Sequence, residues 1–137
     1  MVRKITKRSS RTQKAGYVDG FVLTVPKKKV EAYCKMAQKA GKIWKEYGAI
    51  EFRECQAQDL KIPMGVPFTK IMKPKPNETI FFSWITYKSK ADRDRINKKV
   101  MKDPRVHEMC DPKDMPVDCN RMTYGGFKIM VNFDKDD

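Results

Sequence analysis

Asp19 lies within the apolar run YVDGFVLTV, Tyr17–Val25, where a carboxylate withdrawn from water needs a cation or hydrogen-bond donors beside it. Arg53 or Arg121 would make a charge-assisted pair with it at a strand edge. Such a pair, or a polar point in a subunit interface, is the plain reading of Asp19; a catalytic acid is the sharper one. Trp44, Trp84, Tyr87 and Tyr124 offer aromatic surface that could grip a flat ligand, although packing in a core is the usual role of such rings. Trp84 and Tyr87 have opposite parity, so one strand turns them to opposite faces. Trp84 is assigned to the core and Tyr87 is left open. Asp19, Arg53, Tyr87, Arg121 and Tyr124 form the candidate ligand-binding set.

His107, the one histidine, would be the natural general base or heme ligand. It follows Pro104 with Arg105 and Glu108 nearby, and so reads as a surface residue. Cys34, Cys55, Cys110 and Cys119 contain no CxxC pair, and no metal site is expected. Cys34 and Cys55 read as core filler. Cys110 and Cys119 flank a loop, with no histidine at a fixed spacing to activate either thiol. There is no GxxxxGK[ST] and no GxGxxG after a strand, and the GG of RMTYGGF falls within a strand rather than at a helix start. An RNP-type aromatic octamer is also missing. No cofactor is implied, and no catalytic residue stands out.

A chain of 137 residues fits one core, and its 40% hydrophobic content argues against global disorder. The net charge of +13 favours anionic partners such as nucleic acid, acidic lipid or phosphorylated ligands. Six of those charges, Arg3, Lys4, Lys7, Arg8, Arg11 and Lys14, sit in residues 1–16 without a single acid. This basic arm could grip nucleic-acid phosphates without sequence choice. A solvated tail, a targeting segment or vector-derived residues are the duller alternatives. No apolar run approaches the ~20 residues of a membrane span. With no secretory segment ahead of the cysteines, reduced thiols and a cytoplasmic location are expected.

The elements that must position these residues follow from periodicity. Tyr17–Val25 is a strand closed by Pro26, and the apolar steps Val30, Cys34, Ala37, Gly41 and Trp44 predict an amphipathic helix ending at Gly48. AIEFRECQAQD alternates as a strand, with Phe52, Glu54 and Gln56 on one side. Residues 59–78 carry four prolines and predict a long connection, with a short edge strand around Phe68–Met72. TIFFSWITY is the strongest strand; SKADRDRINKKVMKD is a helix capped by Ser89, with Asp92 in the capping-box place, and interrupted at Pro104. A short helical turn holds Val106, His107 and Met109. RMTYGGFKIMVNF is the last strand, where Gly125 and Gly126 predict a bulge or a close backbone approach.

The order β, α, β, β, α, β predicts an α+β, ferredoxin-like fold, a four-stranded antiparallel sheet with both helices on one face. The predicted organisation is a basic arm over 1–16, a domain over 17–133 and an acidic tail over 134–137. Strands one and three are apolar on both sides, so helices cover one face and the same sheet of a second copy is the expected cover for the other. A homodimer is the predicted state.

YVDGFVLTVP, FSWITYKSKADRDRINKKVMKDPR and RMTYGGF, spanning Tyr17 to Val131 in order, resemble the YbaA-like family of small bacterial proteins of unknown function. The resemblance implies the dimeric α/β-barrel superfamily, whose members include heme-handling and quinol-forming monooxygenases, lyases and ligand-binding regulators. One scaffold with so many chemistries says little about function. Where that family commonly reads FSWIEYPSK, this chain has Thr86 and Lys88, so a role needing a carboxylate there fails. Three functions are carried forward: binding of a small, partly apolar ligand between sheet and helices, a basic accessory role in an RNA-containing assembly, and monooxygenase-like barrel chemistry.

Overall fold

A computed structural model describes residues 14–111 and 113–137. Its four strands are β1 (Tyr17–Pro26), β2 (Glu51–Gln56), β3 (Glu78–Tyr87) and β4 (Thr123–Lys128). They form one antiparallel sheet in the order β2-β3-β1-β4. Helix α1 (Val30–Glu46) joins β1 to β2, α2 (Phe68–Met72) lies in the β2–β3 connection, and α3 (Lys90–Met101) and α4 (Pro104–Met109) follow β3.

Local chemistry sets the ends of these elements. Pro26 closes β1. Gly48, at φ +117°, ends α1 in a Schellman turn: its N–H reaches Lys45 O at 3.1 Å and that of Ala49 reaches Trp44 O at 3.0 Å. Ser89 caps α3 by accepting the Asp92 N–H at 3.1 Å. Pro104 opens α4 instead of merely ending α3, because Asp103 caps the new helix through the Arg105 N–H at 2.8 Å. The expected edge strand at Phe68–Met72 is a five-residue helix. Phe68 and Met72, four residues apart, share one side of that turn; Phe68 meets Phe82 edge-on at 6.0 Å and Met72 is buried.

Register assigns every strand side chain to a face. Asp19 pairs with Ile85, Phe21 with Ser83 and Leu23 with Phe81; on the far side of β3, Glu54 pairs with Ser83 and Phe52 with Ile85. These residues, with Tyr17 and Tyr87, point toward α1 and α3. The core under the helices is divided. One cluster gathers Ile43, Ile85, Tyr87, Ile96 and Val100; the other gathers Leu23, Val25, Tyr33 and Phe81.

The opposite face carries Val18, Val22, Phe82, Trp84 and Phe127 and, among the described residues, has only α2 across one end. Trp84 therefore departs from its core assignment: parity turns it away from the helices, half-buried, against Phe82 at 5.8 Å. Cys55 shares that face and is exposed, so it does not fill the core as expected, whereas Cys34 is half-buried and packs against the second core cluster. β4 pairs with β1 without a bulge. Gly126 is instead a close approach: a Cβ there would stand 2.9 Å from Tyr17 Cε2 and 3.0 Å from Asp19 Oδ1. The two ends of the described chain also meet. Gly16 O accepts the Ile129 N–H at 3.1 Å, Asn132 Nδ2 bonds Ala15 O, and Lys14 pairs with Asp137 and with Asp134 at 3.9 Å.

Candidate functional site: a cavity where the core divides

Between the two core clusters the sheet floor carries Phe21, Ser83 and Glu54 in one row, and the roof above is built from Ala37 and Ala40 of α1. A serine flanked by Phe81 and Ile85, facing two alanines, removes the volume that large side chains would fill. The result is a cavity of about 380 Å³, walled by Trp44, Phe52, Tyr33, Met36 and Met101. It is mainly apolar with a few convergent polar groups, as small-molecule sites are. Gly41 lets α1 approach closely, since a Cβ there would lie 2.9 Å from Phe52 Cδ1.

Two carboxylates mark its ends. From strand spacing and rise, with β3 between them and a two-residue offset, their Cα atoms are about 12 Å apart. Asp19 is held by α3: Arg93 Nη1 donates to Oδ1 at 3.2 Å, and Arg93 Nη2 donates to the Tyr17 hydroxyl at 3.3 Å. The guanidinium also lies 5.1 Å above the Tyr17 ring and is shared with Asp94, 2.9 Å from Nε. Asn97 Oδ1 accepts from Trp44 Nε1 at 3.1 Å and from the Tyr87 hydroxyl at 3.2 Å, and the Asn97 and Tyr87 side chains also approach Asp19. Burial pushes the Asp19 carboxyl above its ordinary range, with Arg93 pulling the other way.

At the other end the Tyr33 hydroxyl donates to Glu54 Oε1 at 2.8 Å and the Ser83 hydroxyl faces the same carboxylate. Among the described residues no cation pairs with Glu54. Burial raises its pKa against the pull of the two hydroxyls, and burial, followed by the charge of Glu54, raises that of the Tyr33 phenol. Phe52 and Glu54 also border a groove of about 850 Å³ between α1 and the edge strand β2, with Lys42, Lys45 and Arg53 along it.

Of the sequence-derived set, Asp19, Tyr87 and Tyr124 line this cavity; Tyr124 does so at its rim, stacked on Phe21 at 5.3 Å. Arg53 borders it, but its exposed guanidinium turns to Glu51 at 3.7 Å, on the opposite side of β2 from Glu54. Arg121 lies elsewhere, gripping Glu78 with two bonds of 2.8 and 2.9 Å. The expected pairing of Asp19 with Arg53 or Arg121 is thus replaced by Arg93, which α3 holds above Asp19. His107 is exposed on α4, and Cys110 and Cys119 are exposed free thiols. Among the described residues no three His, Cys, Asp or Glu side chains cluster as metal ligands, and no helix is long and apolar enough to cross a membrane. Arg3, Lys4, Lys7, Arg8 and Arg11 lie outside the described residues.

Sequence reasoning missed Arg93, Asn97, Glu54, Tyr33 and Ser83. The signals existed: Arg93 and Asn97 each stand three residues before a buried apolar residue, Ile96 and Val100, and Glu54 shares its strand face with Phe52.

A family model described as "Protein of unknown function (DUF1428)" matches residues 16–119. The chain is 45% identical over 116 residues to the uncharacterized protein YbaA of Escherichia coli K12, covering 85% of this chain and 97% of that one, and the same figures hold for YbaA of Shigella flexneri. A crystal structure of a nipsnap family protein of unknown function from Agrobacterium tumefaciens superposes with a TM-score of 0.53 at 14% identity, over 89% of this chain and 94% of that one. That likeness concerns the fold alone.

Proposed function

The chain belongs to the DUF1428 family, and from that premise we propose that it is a homodimeric domain that binds a small, partly apolar ligand in the cavity between sheet and helices. The observation that carries this reading is the gap in the core. A domain selected for packing alone would not leave an apolar-walled cleft half open to water, with Trp44, Phe52 and Met101 incompletely covered. Here instead it is ringed by aromatics and by Asp19, Glu54, Tyr33 and Asn97.

The strand order β2-β3-β1-β4 supports the ferredoxin-like plan, and an apolar face with Phe82 and Phe127 in water supports a second copy as its cover. In this reading residues 17–133 are the domain, with the arm before it and the acidic tail after it. A thermal-shift screen against quinones, heme and short-chain metabolites tests the ligand. A rise in melting temperature with one chemical class is expected, and silence across all of them counts against the cavity.

A second reading draws on the exposed Lys98 and Lys99 of α3 and Lys102 just past its end, which could join the arm in holding RNA for an accessory role in an RNA-containing assembly. Deleting residues 1–16 and measuring RNA retention at two salt concentrations tests it. Unchanged weak binding would remove the idea.

A further inference from the structure

The two carboxylates of the cavity differ in what they are able to do. Asp19 is committed to Arg93, Asn97 and Tyr87, whereas Glu54 is held only by two hydroxyls, and its side chain stands where the inner cavity meets the groove along β2. We propose that Glu54 is a proton-transfer residue acting on a flat, uncharged carbonyl compound, moving a proton between the carbon beside the carbonyl and its own carboxylate. The proposal rests on the cavity being a ligand site.

The bond changes balance without any oxidant or reductant. Glu54 takes the proton from carbon, and the C–H electron pair becomes a C=C bond. The carbonyl electron pair moves to oxygen as an enolate; return of the proton to oxygen gives the enol isomer, and return to carbon regenerates the ketone with its hydrogen exchanged. Ser83 and Tyr33 are the donors at hand for the enolate oxygen. Once Glu54 is protonated it has less call on the Tyr33 hydroxyl, which is then free to turn toward the ligand. The Tyr33 phenol, raised by burial, keeps its proton and so remains a donor.

The ligand class follows from the walls. Asp19 and Glu54 both present carboxyl groups, while the charge of Arg93 is divided between Asp19 and Asp94 and that of Arg53 is turned to Glu51, so among the described residues an anionic ligand meets no free cation inside. The ionisable groups on the Glu54 side of β2 are Tyr33 and Cys34 from α1, with Cys119 near Tyr33, while the neighbouring Arg53 turns to Glu51 on the other side. None of them neutralises it. Trp44, Phe52 and Tyr33 give the walls the aromatic surface on which a planar guest can lie.

The probe is 2-tetralone, a neutral planar ketone with an acidic C–H, in D2O at neutral pD. Proton NMR follows deuterium uptake at the carbon between ring and carbonyl, and thermal shift follows binding of the same compound. The wild-type protein is expected to accelerate uptake over buffer, and Glu54→Gln to lose about 100-fold of that acceleration while still binding the ketone. Glu54→Asp is expected to restore part of it, and Tyr33→Phe to lower the rate with the ketone still bound. If the ketone binds and Glu54→Gln exchanges as fast as wild type, the proposal falls and the cavity reading stands. Tighter binding of 2-naphthoate than of the ketone overturns the uncharged class. Failure of both compounds to bind takes down the cavity reading and this proposal together.

Discussion

Toward the helices, Phe81, Ile85 and Tyr87 of β3 are sealed from water, whereas Phe82 on the same strand keeps 44% of its surface exposed and Phe127 of β4 keeps 62%. The two faces of the sheet are alike in composition and differ in what lies on them. The helix side is covered by the chain itself and holds a polar-ended cavity. The other side is apolar and, among the described residues, is covered at one end by α2. Apolar side chains thus serve the protomer's own core on one face, and on the other they form the surface proposed above for a second copy.

The comparison can be broken from either side. Ile96→Ala, on the helix side, should destabilise the protein by about 2–5 kcal/mol, read by denaturant titration. The loss should be independent of protein concentration, because Ile96 is fully buried within the protomer. Trp84→Asp, on the bare side, should weaken subunit association by about 2–4 kcal/mol and leave the protomer folded. Light scattering should show a dimer becoming a monomer. A monomeric wild-type protein would remove the proposed role of that face.

Two smaller changes sharpen the picture. Ser89→Ala removes the cap of α3, the helix that positions Arg93 and Asn97, at about 1 kcal/mol by thermal melting. Glu54→Gln should have the smallest effect, and its sign is informative. Burial raises the folded-state pKa of Glu54, so between the unfolded and folded values the unfolded chain binds fewer protons, and stability declines as pH rises through that interval. The glutamine variant still accepts the Tyr33 hydrogen bond without carrying a charge. It should melt above wild type at pH values beyond the interval, and the gap should close below the ordinary glutamate range.

Much of this architecture was legible in the residues. Ser89 with Asp92, Gly48 at the close of α1, and the alternation through β3 each act within a few positions, and local rules suffice for them. What failed was decided by distant contacts. Parity separates Trp84 from Tyr87 but cannot say which side the helices will cover when both sides are apolar. Phe68–Met72 is too short for periodicity to distinguish strand from helix, and Pro67 at its start is compatible with either. The partner of Asp19 depended on where α3 crosses the sheet, which placed Arg93 above it. Glu54 stood on the correct face in the sequence pattern, yet its importance came from the small residues opposite, Ala37 and Ala40, and from its lack of a cation partner among the described residues.

The clasp between residues 14–16 and 129–137 has a consequence for the order in which the chain can be written. Because the first and last described segments touch, a short peptide splicing them together, with a new opening cut in the exposed 59–66 connection, would preserve all three strand pairings. Such a rearranged gene product would begin beside α2 and finish after β2, and its contact map would match that of the original.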